Sequence, residues 1–214
     1  MKRTGRFVTF TLVLCINSIY MYFYYLRDGF LSKMEIFGLP IMLLTAWYFG
    51  KQYDKAKYYS EKDPLTGVYN RRIIEPFFLR ITSLAERNRQ TVGFFLIDVD
   101  NFKQINDNFG HQKGDELLKL LANLLVNCLR KSDIVARWGG DEFILICPNL
   151  KNYEGIDEII NRIHANLKTI SLSEVEVSIS IGAAIYPTEG KTIDKLLSMA
   201  DKKMYNMKIQ HLAE

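Results

Sequence analysis

The sequence predicts an α+β domain, a central and mostly antiparallel sheet flanked by helices, preceded by an N-terminal transmembrane helical hairpin. Three observations carry that expectation. Two apolar runs occupy most of residues 1–50, helix-like and strand-like patterns follow one another from residue 63 onward, and the charge divides unevenly between the two parts. A chain of 214 residues with 48% hydrophobic and 24% charged residues suits one ordinary globular domain plus an additional segment. That composition excludes a disordered tail protein and a disulfide-stapled miniprotein.

The first run, Phe7 to Leu26, is twenty residues without a charge, the length a helix needs to cross a bilayer core of about 30 Å. A second, Ile36 to Gly50, is fifteen residues and reaches spanning length only if residues 31–35 join it, with Lys33 and Glu35 snorkelling. The expected organisation is therefore a membrane anchor over 1–50, with helices at about 7–26 and 31–50, then a helical stalk over 51–62. Residues 1–62 hold 9 Lys/Arg against 4 Asp/Glu, and 63–214 hold 19 against 20. Basic residues Lys2, Arg3 and Arg6 precede the first run and Lys51, Lys55 and Lys57 follow the second, which places both ends in the cytoplasm. The stretch is too long for an ordinary signal-peptide core and lacks a small-residue cleavage site. A slightly acidic remainder argues against broad nucleic-acid binding.

Asp63-Pro64 ends the stalk, because the residue before proline is driven out of the α region. Beyond it, residues 71–89 carry apolar groups at helical spacing, and 92–97 form a β-type run that stops at Asp98-Val99-Asp100. Residues 112–130 are a second strong helix. Residues 134–138 and 142–147 are short strands about Gly139-Gly140, a dipeptide suited to a tight hairpin. A helix over 154–170, an alternating strand over 175–185 with one face in the core, and a helix over 192–208 complete the pattern.

Three cysteines, Cys15, Cys128 and Cys147, form no CxxC pair, and three histidines stand apart. The cysteines read as buried small hydrophobes, and any metal is expected on oxygen ligands. Asp98 emerges from an apolar strand, where an unpaired charge is costly, so a positive group should meet it. Asp141 and Glu142 follow two glycines that let a phosphate-bearing ligand approach the backbone. Carboxylates from neighbouring strand ends, without His or Cys, suit Mg²⁺ carrying substrate phosphates.

Residues 139–143, Gly-Gly-Asp-Glu-Phe, resemble the signature pentapeptide of the GGDEF family of diguanylate cyclases. Three further segments are similar to that family's motifs in order: Asp63-Pro64-Leu65-Thr66-Gly67 through Arg72, Asp98-Val99-Asp100-Asn101-Phe102-Lys103 through Asp107, and Phe109-Gly110-His111 with Gly114-Asp115. The resemblance spans roughly 63–208 and implies a nucleotidyl-cyclase, palm-like domain that condenses two GTP into cyclic di-GMP with loss of pyrophosphate.

The resemblance further implies roles by position. Asp98, the Val99 carbonyl and Asp141 would hold Mg²⁺ or Mn²⁺; Glu142 would serve a second metal or help deprotonate the 3′-hydroxyl. Asn106 and Asp115 would read guanine, since a carboxylate accepts from N1–H and the 2-amino group. Lys103 and the amides of Asn101 and Phe102 would grip the outer phosphates, with Leu65 and Lys208 completing the substrate site. Leu212 stands where the family usually has an arginine that also reaches phosphate. Arg130 and Asp133 match the RxxD product-inhibition pattern, assisted by Arg137, and would bind cyclic di-GMP. One site holds one GTP, so turnover requires a homodimer, and the anchor would hold it at a bacterial inner membrane. The other reading is a catalytically weak domain that senses cyclic di-GMP or GTP.

Overall fold

The computed structural model describes residues 4–30, 33–150, 153–168 and 177–213, without the side chains of Glu35 and residues 210–213. The chain divides into two compact units, Met1–Ser60 and Glu61–Glu214.

The first unit is two helices, α1 (Thr4–Asp28) and α2 (Lys33–Glu61). Helix α1 stops at Gly29, whose φ of 75° is the left-handed conformation that closes helix ends, and its amide bonds to the Tyr25 carbonyl at 2.9 Å. Among the described residues α1 alone is long and apolar enough to cross a membrane. Helix α2 runs without a break from the expected second span through the expected stalk, with Pro40 inside it. The two helices touch through small residues: a Cβ on Gly50 would lie 2.4 Å from the Arg6 Cα. Thr9 donates its hydroxyl to the Ala46 carbonyl at 2.9 Å, and Phe7 and Phe10 meet Trp47 edge-on. Cys15 lies exposed on α1, contrary to the buried reading, because this helix carries its apolar groups outward.

The second unit holds a five-stranded sheet in the order β1-β3-β4-β2-β5. Its elements are β1 (Tyr69–Asn70), α3 (Ile74–Asn88), β2 (Thr91–Val99), α4 (Phe102–Phe109), α5 (His111–Cys128), β3 (Ile134–Gly139), β4 (Glu142–Leu150), α6 (Tyr153–Leu167), β5 (Ile179–Tyr186) and α7 (Ile193–Ala213). Only β1 and β3 pair in parallel; the other pairs are antiparallel, as the sequence predicts.

Strand β2 is an interior strand between β4 and β5, and its alternating side chains feed two cores. Phe95, Ile97 and Val99 pack with Leu117, Leu121 and Leu125 of α5 and Ile159 of α6. On the opposite face Phe94 and Leu96 pack with Ile74 and Phe78 of α3 and Leu196, Ala200 and Met204 of α7. A strand covered on both faces reads as a continuous apolar run, which is why Val92 to Ile97 showed no alternation.

Strand β5 corrects the sequence reading. Its start at 175–176 lies outside the described residues, as does the end of the 154–170 helix, and the strand proper begins at Ile179. All eight of its residues are buried, not one face alone. Ser180 and Gly182 leave room for a helix rather than facing water: a Cβ on Gly182 would lie 1.9 Å from the Ala200 carbonyl oxygen, so α7 rides directly on the strand. That close approach aims the end of α7 at the end of β2.

Candidate active site

The site forms where β2 and β4 end together beneath α7. Asp98 lies directly opposite Glu142 in the antiparallel register and opposite Ser180 on its other side. Since Asp98 shares parity with Phe94 and Leu96, its carboxylate emerges on the face that α7 covers. The expected positive partner is Lys208 of α7, whose Nζ donates to Asp98 Oδ1 at 2.6 Å. The resemblance assigns Lys208 to phosphate; here it neutralises a carboxylate. Asp100, also buried, accepts from the Ser180 hydroxyl at 2.6 Å.

The hairpin delivers two more carboxylates. Gly140 takes φ of 47°, turning the chain between β3 and β4, and Asp141 and Glu142 follow at once. Burial pushes the Asp141 carboxyl above its ordinary value, and the Asp98 charge adds to the rise. Burial likewise raises Glu142, followed by the charges of Asp98, Asp141 and Asp201. Partial burial works against the Lys208 charge, but the hydrogen bond to Asp98 together with the charges of Asp98, Asp100 and Asp141 outweighs it and leaves the ammonium pKa raised. Like charges opposite one another across a strand pair are destabilising, and a cation is the natural relief.

No group of three or more His, Cys, Asp or Glu among the described residues closes around a metal position. Carboxylate and carbonyl oxygens are the donors that Mg²⁺ or Mn²⁺ takes, with one or two carboxylates and substrate phosphates completing the shell. Asp98 and Val99 close β2 and Asp141 and Glu142 lead into β4, so the oxygen donors that the resemblance implies lie at neighbouring strand ends, where the raised carboxyls fit a site that awaits positive charge.

The remaining site residues cluster at α4 and α5. Asn101 takes a left-handed conformation, φ 54°, that starts α4 and presents Phe102 and Lys103 in its first turn. Lys103 is exposed. Gly114 is buried against Asn106, and a Cβ there would lie 2.1 Å from Asn106 Oδ1. The glycine thus seats the Asn106 amide beside the exposed Asp115, which brings the two expected guanine readers together. Leu65 packs on the core below.

Arg130 and Asp133 close a reciprocal turn: the Arg130 amide donates to Asp133 Oδ2 at 2.9 Å, and the Asp133 amide donates to the Arg130 carbonyl at 3.0 Å. Both line a cavity of about 270 Å³ with Glu158 and Arg162 of α6. Arg137 is not among that cavity's lining residues; its guanidinium is committed to Gly140 and Asp63. Cys147 lines the cavity as a buried thiol whose pKa burial raises strongly, so it is inert.

Sequence reasoning did not single out Asp201, Ser180 or Arg162. Asp201 precedes Lys208 by seven residues, two helical turns, so periodicity alone could have placed it on the same face. Ser180 required the register of β5, and Arg162 carries no local signal.

Residues 60–213 match the family described as "Diguanylate cyclase, GGDEF domain". The chain belongs to the GGDEF domain family. It is 34% identical over 186 residues to Diguanylate cyclase DgcM of Escherichia coli K12, covering 83% of this chain and 44% of that protein. Among solved structures, the GGDEF domain of PA1120 (TpbB or YfiN) from Pseudomonas aeruginosa is 38% identical with a TM-score of 0.66, covering 70% of this chain and 89% of that one. The GGDEF domain of DgcB from Caulobacter crescentus, solved with c-di-GMP, is 25% identical with a TM-score of 0.65, covering 70% and 91%. The chain spans less than half the length of the curated relatives DgcM and TpbB.

Proposed function

We propose that this chain is a membrane-anchored diguanylate cyclase that condenses two GTP into cyclic di-GMP and two pyrophosphates as a homodimer. The observation that carries this reading is the carboxylate cluster of Asp98, Asp141 and Glu142, two of its members with raised pKa, beside the Lys208 ammonium. Its similarity to DgcM and to the TpbB domain supports the same activity.

Each 3′-hydroxyl attacks the α-phosphorus of the GTP held by the partner domain, and pyrophosphate leaves. A bound Mg²⁺ or Mn²⁺ supplies charge neutralisation on the triphosphate. Asn106 and Asp115 fix the guanine, while Lys103 and the amides of Asn101 and Phe102 hold the outer phosphates. Glu142 takes the 3′-hydroxyl proton, a role its raised pKa favours. Asp98, Asp141 and the Val99 carbonyl would hold that cation, and Lys208, bonded to Asp98 at 2.6 Å, would also contact the triphosphate. Since each domain binds one GTP, the reaction needs two domains face to face.

Cyclic di-GMP returns to Arg130 and Asp133 as an inhibitor, in a cavity that Arg162 also lines. The apolar α1 and its basic flanks support a reading in which the chain is held in a bacterial inner membrane, with the first part of α2 as a second span and both ends cytoplasmic.

Full-length protein in nanodiscs, incubated with GTP and Mg²⁺ and resolved by chromatography, is expected to yield cyclic di-GMP, and Asp141→Ala is expected to yield none. Product from Asp141→Ala at the unmutated rate would overturn the assignment of the site. No product from a dimeric, folded unmutated sample would replace the cyclase reading with that of a nucleotide sensor.

A further inference from the structure

The turn that carries Asp141 and Glu142 has little packing of its own. A Cβ added at Gly139 or Gly140 would find no other atom within 4 Å, so nothing packs against the Cβ side of either glycine. The ladder is also irregular there: the pairing of β3 with β4 shifts between Arg137 and Gly139. Gly140 meanwhile holds φ of 47°, and the residues that follow bear charges that repel one another. Something else must hold the turn in one conformation.

Arg137 does so through both sides of its guanidinium. Its Nε and Nη2 donate to the Gly140 carbonyl at 2.9 and 2.7 Å. Its Nη1 donates to the Asp63 carboxylate, 3.2 Å to Oδ1 and 3.4 Å to Oδ2. Asp63 is in turn fixed: it accepts from the Thr66 amide at 2.9 Å and the Thr66 hydroxyl at 2.6 Å, and its own amide donates to the Val68 carbonyl at 2.9 Å. Burial opposes the Asp63 charge, but Thr66 and Arg137 outweigh it and hold the carboxyl below its ordinary value. Both side chains are largely sheltered, 18% and 16% exposed, where a charge-assisted pair keeps more of its strength.

We propose that Arg137 is a positioning residue: its guanidinium is a strut from Asp63, two residues beyond the end of α2, to the Gly140 carbonyl, and it fixes the turn that aims Asp141 and Glu142 into the site. The planar fork is what the geometry uses, since one group must satisfy a carbonyl and a carboxylate at a set angle. A lysine keeps the charge, but its single ammonium nitrogen cannot span a carbonyl on one side and a carboxylate on the other as the planar fork does. The strut spans 74 residues of sequence and makes the geometry of the catalytic turn depend on where the chain comes into the domain. It rests on the cyclase reading for its consequence, but not for its existence.

The test uses the full chain in nanodiscs, first without metal or nucleotide. Arg137→Lys is expected to speed amide hydrogen exchange across 139–142 by about tenfold or more, with 143–147 unchanged. Asp63→Asn is expected to act in the same direction more weakly, because the bonds to Gly140 remain. In turnover, Arg137→Lys is expected to lower kcat by about tenfold or more, with KM for GTP within about threefold, since the strut does not touch the nucleotide. Unchanged exchange at 139–142 in Arg137→Lys would overturn the proposal, as would an acceleration spread evenly over β3 and β4, which marks a merely structural arginine. If Arg137→Lys does not fold, Asp63→Asn carries the same comparison, and equal exchange at 139–142 there overturns it. An unmutated protein that makes no cyclic di-GMP would remove the cyclase reading, while the exchange comparison still decides the strut.

Discussion

The two units invert one another. In the helical unit the buried groups are Gly5, Arg6, Ala46, Gly50 and Asp54, while Phe7, Leu12, Ile19, Phe23 and Leu26 are exposed. In the GGDEF domain Phe94, Phe95, Phe143 and Leu117 are fully buried. The helical unit buries a charge pair: Asp54 accepts from the Gly5 amide at 2.7 Å and pairs with Arg6 Nε at 3.1 Å, so it caps the start of α1 from another helix. Small residues and a polar clasp inside with apolar groups outside suit the proposed membrane anchor, because apolar surface gains nothing in lipid by being hidden. The domain follows the opposite rule, the one water imposes.

Core truncation should sharpen this contrast most. Phe95→Ala is expected to destabilise the domain by about 3–5 kcal/mol, lowering its thermal midpoint by calorimetry and leaving the helical pair intact. The mirror change, Asp54→Ala, strands Arg6 and is expected to weaken the helix contact. Spin labels at positions 10 and 47 would report a longer distance, with the domain midpoint unmoved. A domain midpoint that fell with Asp54→Ala would break the comparison.

The active-site carboxylates should show in the pH dependence. Asp141 and Glu142 are raised in the folded state, so it binds protons before the unfolded chain does. Metal-free stability is therefore expected to rise as pH falls through a window just above the ordinary carboxylate range, and to level off once both states are protonated. Asp63 has the opposite sign: its lowered pKa contributes stability that is lost only at lower pH, as its own carboxyl protonates. Denaturant titrations of Glu142→Gln would shrink the first effect and leave the second. The smallest change is Glu116→Gln, which removes an exposed pair with Lys113 and should change the domain's stability by less than about 0.5 kcal/mol.

What the sequence made legible was local. Strand ends, the Gly139-Gly140 turn and the helical stripes each declare themselves within a few residues, and they located Asp98, Asp141 and Glu142. Long-range pairings did not declare themselves. The alternation of Ser180 and Gly182 looks like a solvent face because small residues serve a closely packed helix as well as they serve water. Lys208 on Asp98, Arg137 on Asp63 and Arg162 beside Arg130 depend on contacts across the fold that no spacing rule encodes.

The claim at the centre of this account is that mutually repelling carboxylates at the ends of β2 and β4 form a cation site. Thermal unfolding of the full chain, with and without Mg²⁺ and a GTP analogue bearing a methylene bridge between the α- and β-phosphates, tests it directly. The unmutated protein should gain several degrees only when both are present, and Asp141→Asn should gain much less. Equal stabilisation of the two proteins would contradict the claim.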